Sequence, residues 1–161
     1  MKLLLLTIAA LFSLTTLVPA ADPAPHTHEK IKAGPTGGRL ITEVEPHVEF
    51  FVNQDKKVEI RFINDDHKIV PPASQVITVI LGDRSAPTRL AFTQDGDKLI
   101  SDKPIPTGND YPTVVQIRAK EGAKPLNQKF NLNLEQCPTC KYKEYACICA
   151  HGDEDKKEDK K

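Results

Sequence analysis

Between Leu40 and Leu134 apolar residues return at every second position in short runs, and turn-forming residues separate the runs. A spacing of two is the signature of a strand with one buried face. Val48, Phe50 and Val52 alternate with Glu49 and Phe51, and Val58, Ile60 and Phe62 alternate with Glu59, Arg61 and Ile63. Leu40 and Val44 flank Thr42 on one face of an earlier run. Val115, Ile117 and Ala119 alternate with Gln116 and Arg118, and Phe130, Leu132 and Leu134 with Lys129, Asn131 and Asn133. Leu90 and Phe92 open another strand, Asp95-Gly96 turns it, and Leu99-Ile100 begins the return. The stretch from Gln75 to Leu81 is apolar on both faces, which predicts a central strand covered on both sides.

The turns carry their own chemistry. Asn53-Gln54-Asp55, Asn64-Asp65-Asp66-His67, the segment from Gly82 to Pro87 and the one from Glu121 to Pro125 combine Asn, Asp, Gly and Pro. Pro71-Pro72 interrupts regular pairing and predicts an edge or a linker. Thirteen prolines and no tryptophan also weigh against a helical protein. About eight short strands at regular spacing predict an all-β fold: an antiparallel immunoglobulin-like sandwich of 7–8 strands, with an open barrel as the alternative. The expected core is Val48, Phe50, Val58, Ile60, Phe62, Val79, Leu81, Leu90, Phe92, Val115, Ile117, Phe130 and Leu132.

All four cysteines lie behind the last strand pattern, as Cys137, Cys140, Cys147 and Cys149, spaced C-x2-C-x6-C-x-C, with His151 following. Four sulfurs suit a tetrahedral zinc ion, and fewer suit copper(I), which favours soft ligands at low coordination. Pro138 favours a turn that brings Cys137 and Cys140 together, and His151 could replace one thiolate. The six residues between the pairs are short for a zinc finger or ribbon. Two disulfides are the alternative. A bond within Cys147-x-Cys149 would strain a very small ring, so Cys137 and Cys140 would each reach across to Cys147 or Cys149. A third possibility is thiol–disulfide exchange at Cys137-x-x-Cys140, although no amphipathic helix follows the motif.

The ends of the chain have different chemistry. Lys2, the apolar run from Leu3 to Leu17, and Val18 and Ala20 before Ala21 read as a secretory signal peptide over residues 1–20. Residues 21–33 are a polar, proline-rich leader in which His26 and His28 are expected to be solvated. The β-sandwich domain is placed at 34–136, the Cys-rich knuckle at 137–151 and a disordered charged tail at 152–161. The signal implies a periplasmic or extracellular location with no membrane attachment after cleavage, and such a compartment favours disulfides. Lys plus Arg number 22 and Asp plus Glu 22, so the net charge is zero and no nucleic-acid partner is implied. The partner expected is a metal ion or an unidentified protein.

Catalytic signatures are absent from the pattern. Ser74, Ser85 and Ser101 lack a nucleophile elbow, and His47 and His67 sit at strand starts or turns. Asp65-Asp66 and Asp95-x-Asp97 lack a full calcium ligand series. The chain is expected not to be an enzyme.

Gly34-Pro-x-Gly-Gly-Arg-Leu, followed by His47-Val-Glu-Phe, resembles the opening of a small β-sandwich domain of exported bacterial proteins. That domain occurs alone or at the N-terminus of the periplasmic adaptor subunits of heavy-metal efflux pumps. The resemblance covers roughly residues 34–134. It implies a periplasmic binding or scaffold domain in a metal-handling context, without catalysis. The lipoyl-like and helical-hairpin parts of the adaptors have no counterpart in this chain, and the cysteine segment lies outside the resemblance.

Overall fold

The computed structural model describes residues 32–149. The expectations for the signal peptide, for nearly all of the leader with His26 and His28, for His151 and for the charged tail fall outside the described residues. The described chain is all-β and antiparallel. Eleven strands appear in it: β1 (Lys32–Ala33), β2 (Arg39–Ile41), β3 (His47–Val52), β4 (Val58–Ile63), β5 (Ile69–Val70), β6 (Val76–Leu81), β7 (Thr88–Leu90), β8 (Phe92–Asp95), β9 (Lys98–Ser101), β10 (Tyr111–Arg118) and β11 (Leu126–Leu132). One sheet of seven strands has the order β1-β2-β3-β4-β9-β8, with β5 also paired to β4. A second sheet of four has the order β11-β10-β6-β7.

The count exceeds the expected 7–8 because β1, β2, β5 and β7 are two or three residues long. Runs that short carry too few alternations to show a period. The expected single strand through Leu90 and Phe92 is in fact two. Leu90 ends β7 in the small sheet and Phe92 begins β8 in the large one, so the chain changes sheets at Ala91. Asp102 fixes that crossing: its N–H donates to the Ala91 carbonyl at 2.8 Å, and its Oδ1 accepts the Ala91 N–H at 3.1 Å.

The inward faces of both sheets share one core. Val48, Phe50, Val58, Ile60 and Phe62 from the large sheet meet Val79, Leu81, Leu90, Val115, Ile117 and Leu132 from the small one. Phe92 and Phe130, expected inside, pack on the core but are only partly buried. Ile41, Ile77 and Ile105 join the core without having been expected there. β6 departs from its expected double cover: Ile77, Val79 and Leu81 are buried, whereas Val76, Thr78 and Ile80 face outward with greater exposure.

On the outer face of the large sheet two carboxylates are buried. Glu59 takes Arg61 at 2.6 Å, Lys98 at 3.1 Å and the Asn53 amide at 3.1 Å. Burial acts to raise the Glu59 pKa, but the hydrogen bonds from Asn53, Lys98 and Arg61 outweigh it and hold the carboxyl below its usual range. Glu49 lies under the Gly34-Pro-Thr-Gly-Gly turn. Its Oε1 accepts the N–H groups of Thr36 and Gly38, both at 2.9 Å. The remaining turn donors are spent internally, Gly37 N–H on the Gly34 carbonyl and Gly34 N–H on the Gly38 carbonyl. The turn therefore holds a carboxylate from its own chain. A Cβ on Gly34 would collide with the Glu49 side chain, and one on Gly38 with the Phe50 carbonyl oxygen.

Candidate metal centre

After β11 the backbone folds back on itself through a narrow loop. Gln136 and Lys143 pair as an isolated antiparallel bridge, and the Cys137 N–H donates to the Tyr142 carbonyl at 3.0 Å. The Gln136 amide nitrogen spans the loop, donating to the carbonyls of Cys140 at 3.0 Å and Tyr142 at 2.9 Å. Within that frame Pro138 turns the chain so that Cys137 and Cys140 face the same point. A single 3-10 turn follows at Glu144–Ala146, and Cys147 and Cys149 come directly after it.

The six-residue spacer between the cysteine pairs plugs the end of the β core. Tyr145 is 3 % exposed and Ala146 fully buried. The Tyr145 ring meets Phe50 edge-on at 5.9 Å, its hydroxyl accepts the Val52 N–H at 3.2 Å, and its carbonyl accepts Arg39 at 3.3 Å. Its N–H donates to the Asn133 carbonyl at 3.1 Å. Burial pushes the Tyr145 hydroxyl up to about 12. Arg39 in turn lies over the Phe130 ring at 4.6 Å, which ties β2, β11 and the loop together.

The four sulfurs converge. Cys137 Sγ and Cys147 Sγ are 3.3 Å apart, Cys140 Sγ and Cys147 Sγ 3.7 Å apart, and all four lie within 4.8 Å of one another. Sulfurs around a tetrahedral zinc ion at a bond length of about 2.3 Å are separated by about 3.8 Å. A disulfide needs about 2.05 Å. None of the four cysteines is in a disulfide, so the alternative of two cross-bonds is not what the structure holds. Cys137 and Cys147 form the buried half of the group, and Cys140 and Cys149 the more open half.

Backbone donors are aimed at the sulfurs at a repeating offset of two residues. The Thr139 N–H serves Cys137, the Tyr142 N–H serves Cys140, and the Cys149 N–H serves Cys147 at 3.3 Å. The Thr139 hydroxyl bridges Cys137 Sγ at 3.3 Å and Cys149 Sγ at 3.1 Å. That hydroxyl is the largest influence on Cys137, whose thiol is lowered to about 5 despite burial, helped by the Thr139 N–H and the neighbouring thiols. Burial raises the Cys147 thiol, against the pull of the Cys149 N–H. At Cys140 the Tyr142 N–H pulls down, but burial and the contacts with Cys137 and Cys149 prevail and the thiol is raised. Four thiols so close cannot all ionise on their own, because each thiolate disfavours the next. A cation that replaces their protons removes that conflict.

His47, at the start of β3, is locally engaged. Its Nδ1 lies 3.0 Å from the Val44 carbonyl and 3.1 Å from Glu45 Oε1, and Asp65 stands close by. The register that pairs His47 with Ile63 brings the turn after β4 to this corner. Pairing register is a long-range property, and no local motif announces it. Among the described residues no helix is long and apolar enough to cross a membrane.

No family model matches the chain, and no curated protein or solved structure matches it closely enough to indicate a relationship.

Proposed function

We propose that the chain is a non-catalytic, exported β-sandwich protein whose Cys137, Cys140, Cys147 and Cys149 hold one thiophilic metal ion. The observation that carries this reading is the convergence of four sulfurs, none of them in a disulfide, at separations close to the edge of a tetrahedral thiolate site. Three N–H donors and the Thr139 hydroxyl around those sulfurs support it, because they favour the thiolate form that a metal requires. Four sulfurs favour zinc over copper(I), which takes fewer. A closed set of four protein ligands leaves no position for substrate, so the ion is structural or carried. Thiol exchange at Cys137-x-x-Cys140 is the weaker reading, since Cys137 is buried and attack on a disulfide needs an accessible sulfur.

The immunoglobulin-like assignment belongs to the same reading. The order β3-β4-β9-β8 facing β11-β10-β6 follows the ABED and GFC sheets of that fold, with β7 as an added strand beside β6. The periplasmic or extracellular location rests on the signal-like residues 1–20, and the metal-handling context on the resemblance to adaptor domains. In an oxidising compartment a bound ion would also keep the four sulfurs from pairing.

Native mass spectrometry of the exported protein tests the reading. The expected result is one metal ion per chain, and four alkylatable thiols once the ion is chelated under anaerobic conditions. A metal-free protein with a mass four hydrogens light would overturn it in favour of two disulfides.

A further inference from the structure

The outer face of the four-stranded sheet carries a charge pattern found in no motif of the sequence. Register sets Arg89 of β7 beside Ile80 of β6, Ile80 beside Val114 of β10, and Val114 beside Lys129 of β11. One row across all four strands thus reads cation, apolar, apolar, cation. Arg84 from the β6–β7 loop joins the rim, and Pro87 and Pro112 extend the floor, to line a groove of about 620 Å³. The chain as a whole balances 22 cations with 22 acids, yet among the described residues no carboxylate lines this groove. Arg84, Arg89 and Lys129 form no ion pair among the described residues. The adjacent row, Thr78, Gln116 and Asn127, is polar and ends the apolar floor on that side.

We propose that this groove docks an extended acidic segment of a partner protein, with acidic residues four positions apart and an apolar residue midway between them. The dimensions match. Three strand spacings separate β7 from β11, about 14 Å, and four residues of extended chain span about 13 Å. In extended chain, residues at every second position share a face, so acid, apolar residue and acid would all point into the groove. The two acids meet Arg89 and Lys129 at the edges, and the apolar residue lies on Ile80 and Val114. Ile80 and Val114 are half-buried rather than protruding, which suits a segment laid across them better than a lipid surface.

The test uses the fluorescein-labelled peptide Gly-Glu-Ser-Val-Ser-Glu-Gly, the full chain and fluorescence anisotropy at low salt. The bound fraction is expected to fall as salt rises, and the version with glutamines in place of glutamates is expected not to bind. The R89E/K129E pair should weaken binding by about tenfold or more, and R84E, in a loop, by about threefold. Circular dichroism confirms that each variant is folded, and R84E carries the test if the pair is not. Failure of the peptide to bind, equal binding of the glutamine version, or no loss in a folded charge-reversed variant overturns the proposal. So does binding of phosphatidylglycerol vesicles without binding of the peptide.

Discussion

Glu59 shows how a single residue on the solvent side of a sheet becomes a stability determinant. Its carboxylate is almost enclosed, and Arg61, Lys98 and Asn53 complete its coordination by hydrogen bonds. Because the folded pKa lies below the ordinary value of about 4.3, the unfolded chain binds the proton first as pH falls. The stabilisation is therefore fully present above that ordinary value and is lost as pH drops through the depressed one. Glu59→Gln should cost about 1–3 kcal/mol at neutral pH and flatten the acid limb of the stability profile, read from urea unfolding between neutral and strongly acid pH. A Glu59 that merely decorates the surface would leave both unchanged. The same position looks unremarkable in sequence, where it is one polar residue of an alternating strand. Arg61 is two residues along the same strand, but Lys98 comes from β9 and Asn53 from the β3–β4 turn, and only strand pairing brings those two to it.

At the scale of the element, the Gly34-Pro-Thr-Gly-Gly turn and β3 form one unit. Glu49 Oε1 accepts two of the turn's donors, and those two bonds hold the turn against β3 and offset part of the cost of burying the carboxylate. The glycines admit the close approach: a side chain at Gly38 would meet the Phe50 carbonyl, and backbone cannot step aside as a flexible side chain can. Gly38→Ala should lower stability by about 2–3 kcal/mol in a chemical denaturation experiment. Gly96→Ala is the control, since open space surrounds that position and only its positive φ of 62° resists substitution; its expected cost is about 1 kcal/mol. Equal losses at the two sites would mean that the turn is not packed against β3. The spacing of glycine and proline in sequence announces a turn, but not that a glutamate eleven residues after its last glycine completes it.

Across the whole molecule, the cysteine loop and the two-sheet core are mechanically joined. The two cysteine pairs hold the ends of a segment whose last two residues, Tyr145 and Ala146, are buried, with Tyr145 against Phe50. Whatever orders the sulfurs also seats Tyr145, and whatever seats Tyr145 brings the sulfurs together. Tyr145→Ala removes a buried aromatic side chain and should cost about 3–5 kcal/mol. It should also weaken retention of zinc in competition with a chromophoric chelator by about tenfold, although Tyr145 is not among the proposed ligands. Unchanged zinc retention in a folded Tyr145→Ala protein would show that the loop and the two-sheet core are energetically separate.

The chemistry of the residues and their local period determined a good deal about this protein. Alternation at Val48 to Val52, Val58 to Phe62 and Val115 to Ile117 marked strands and their inward faces correctly, because a period of two is dictated by backbone geometry alone. The density of cysteine after the last strand marked a place where four sulfurs do come together. Tertiary structure decided the rest. Ile105 enters the core from a proline-rich loop and Tyr145 from between two cysteine pairs, where no period operates. One apparent strand through Leu90 and Phe92 divides between two sheets. The outward side of β6 stays uncovered, because which faces are buried depends on which sheets stack, and that is settled by contacts far apart in the chain. The distances among the sulfurs belong to the same class. Spacing sets how near two cysteines can come, but the bridge at Gln136 and Lys143 and the anchoring of Tyr145 decide how near they do.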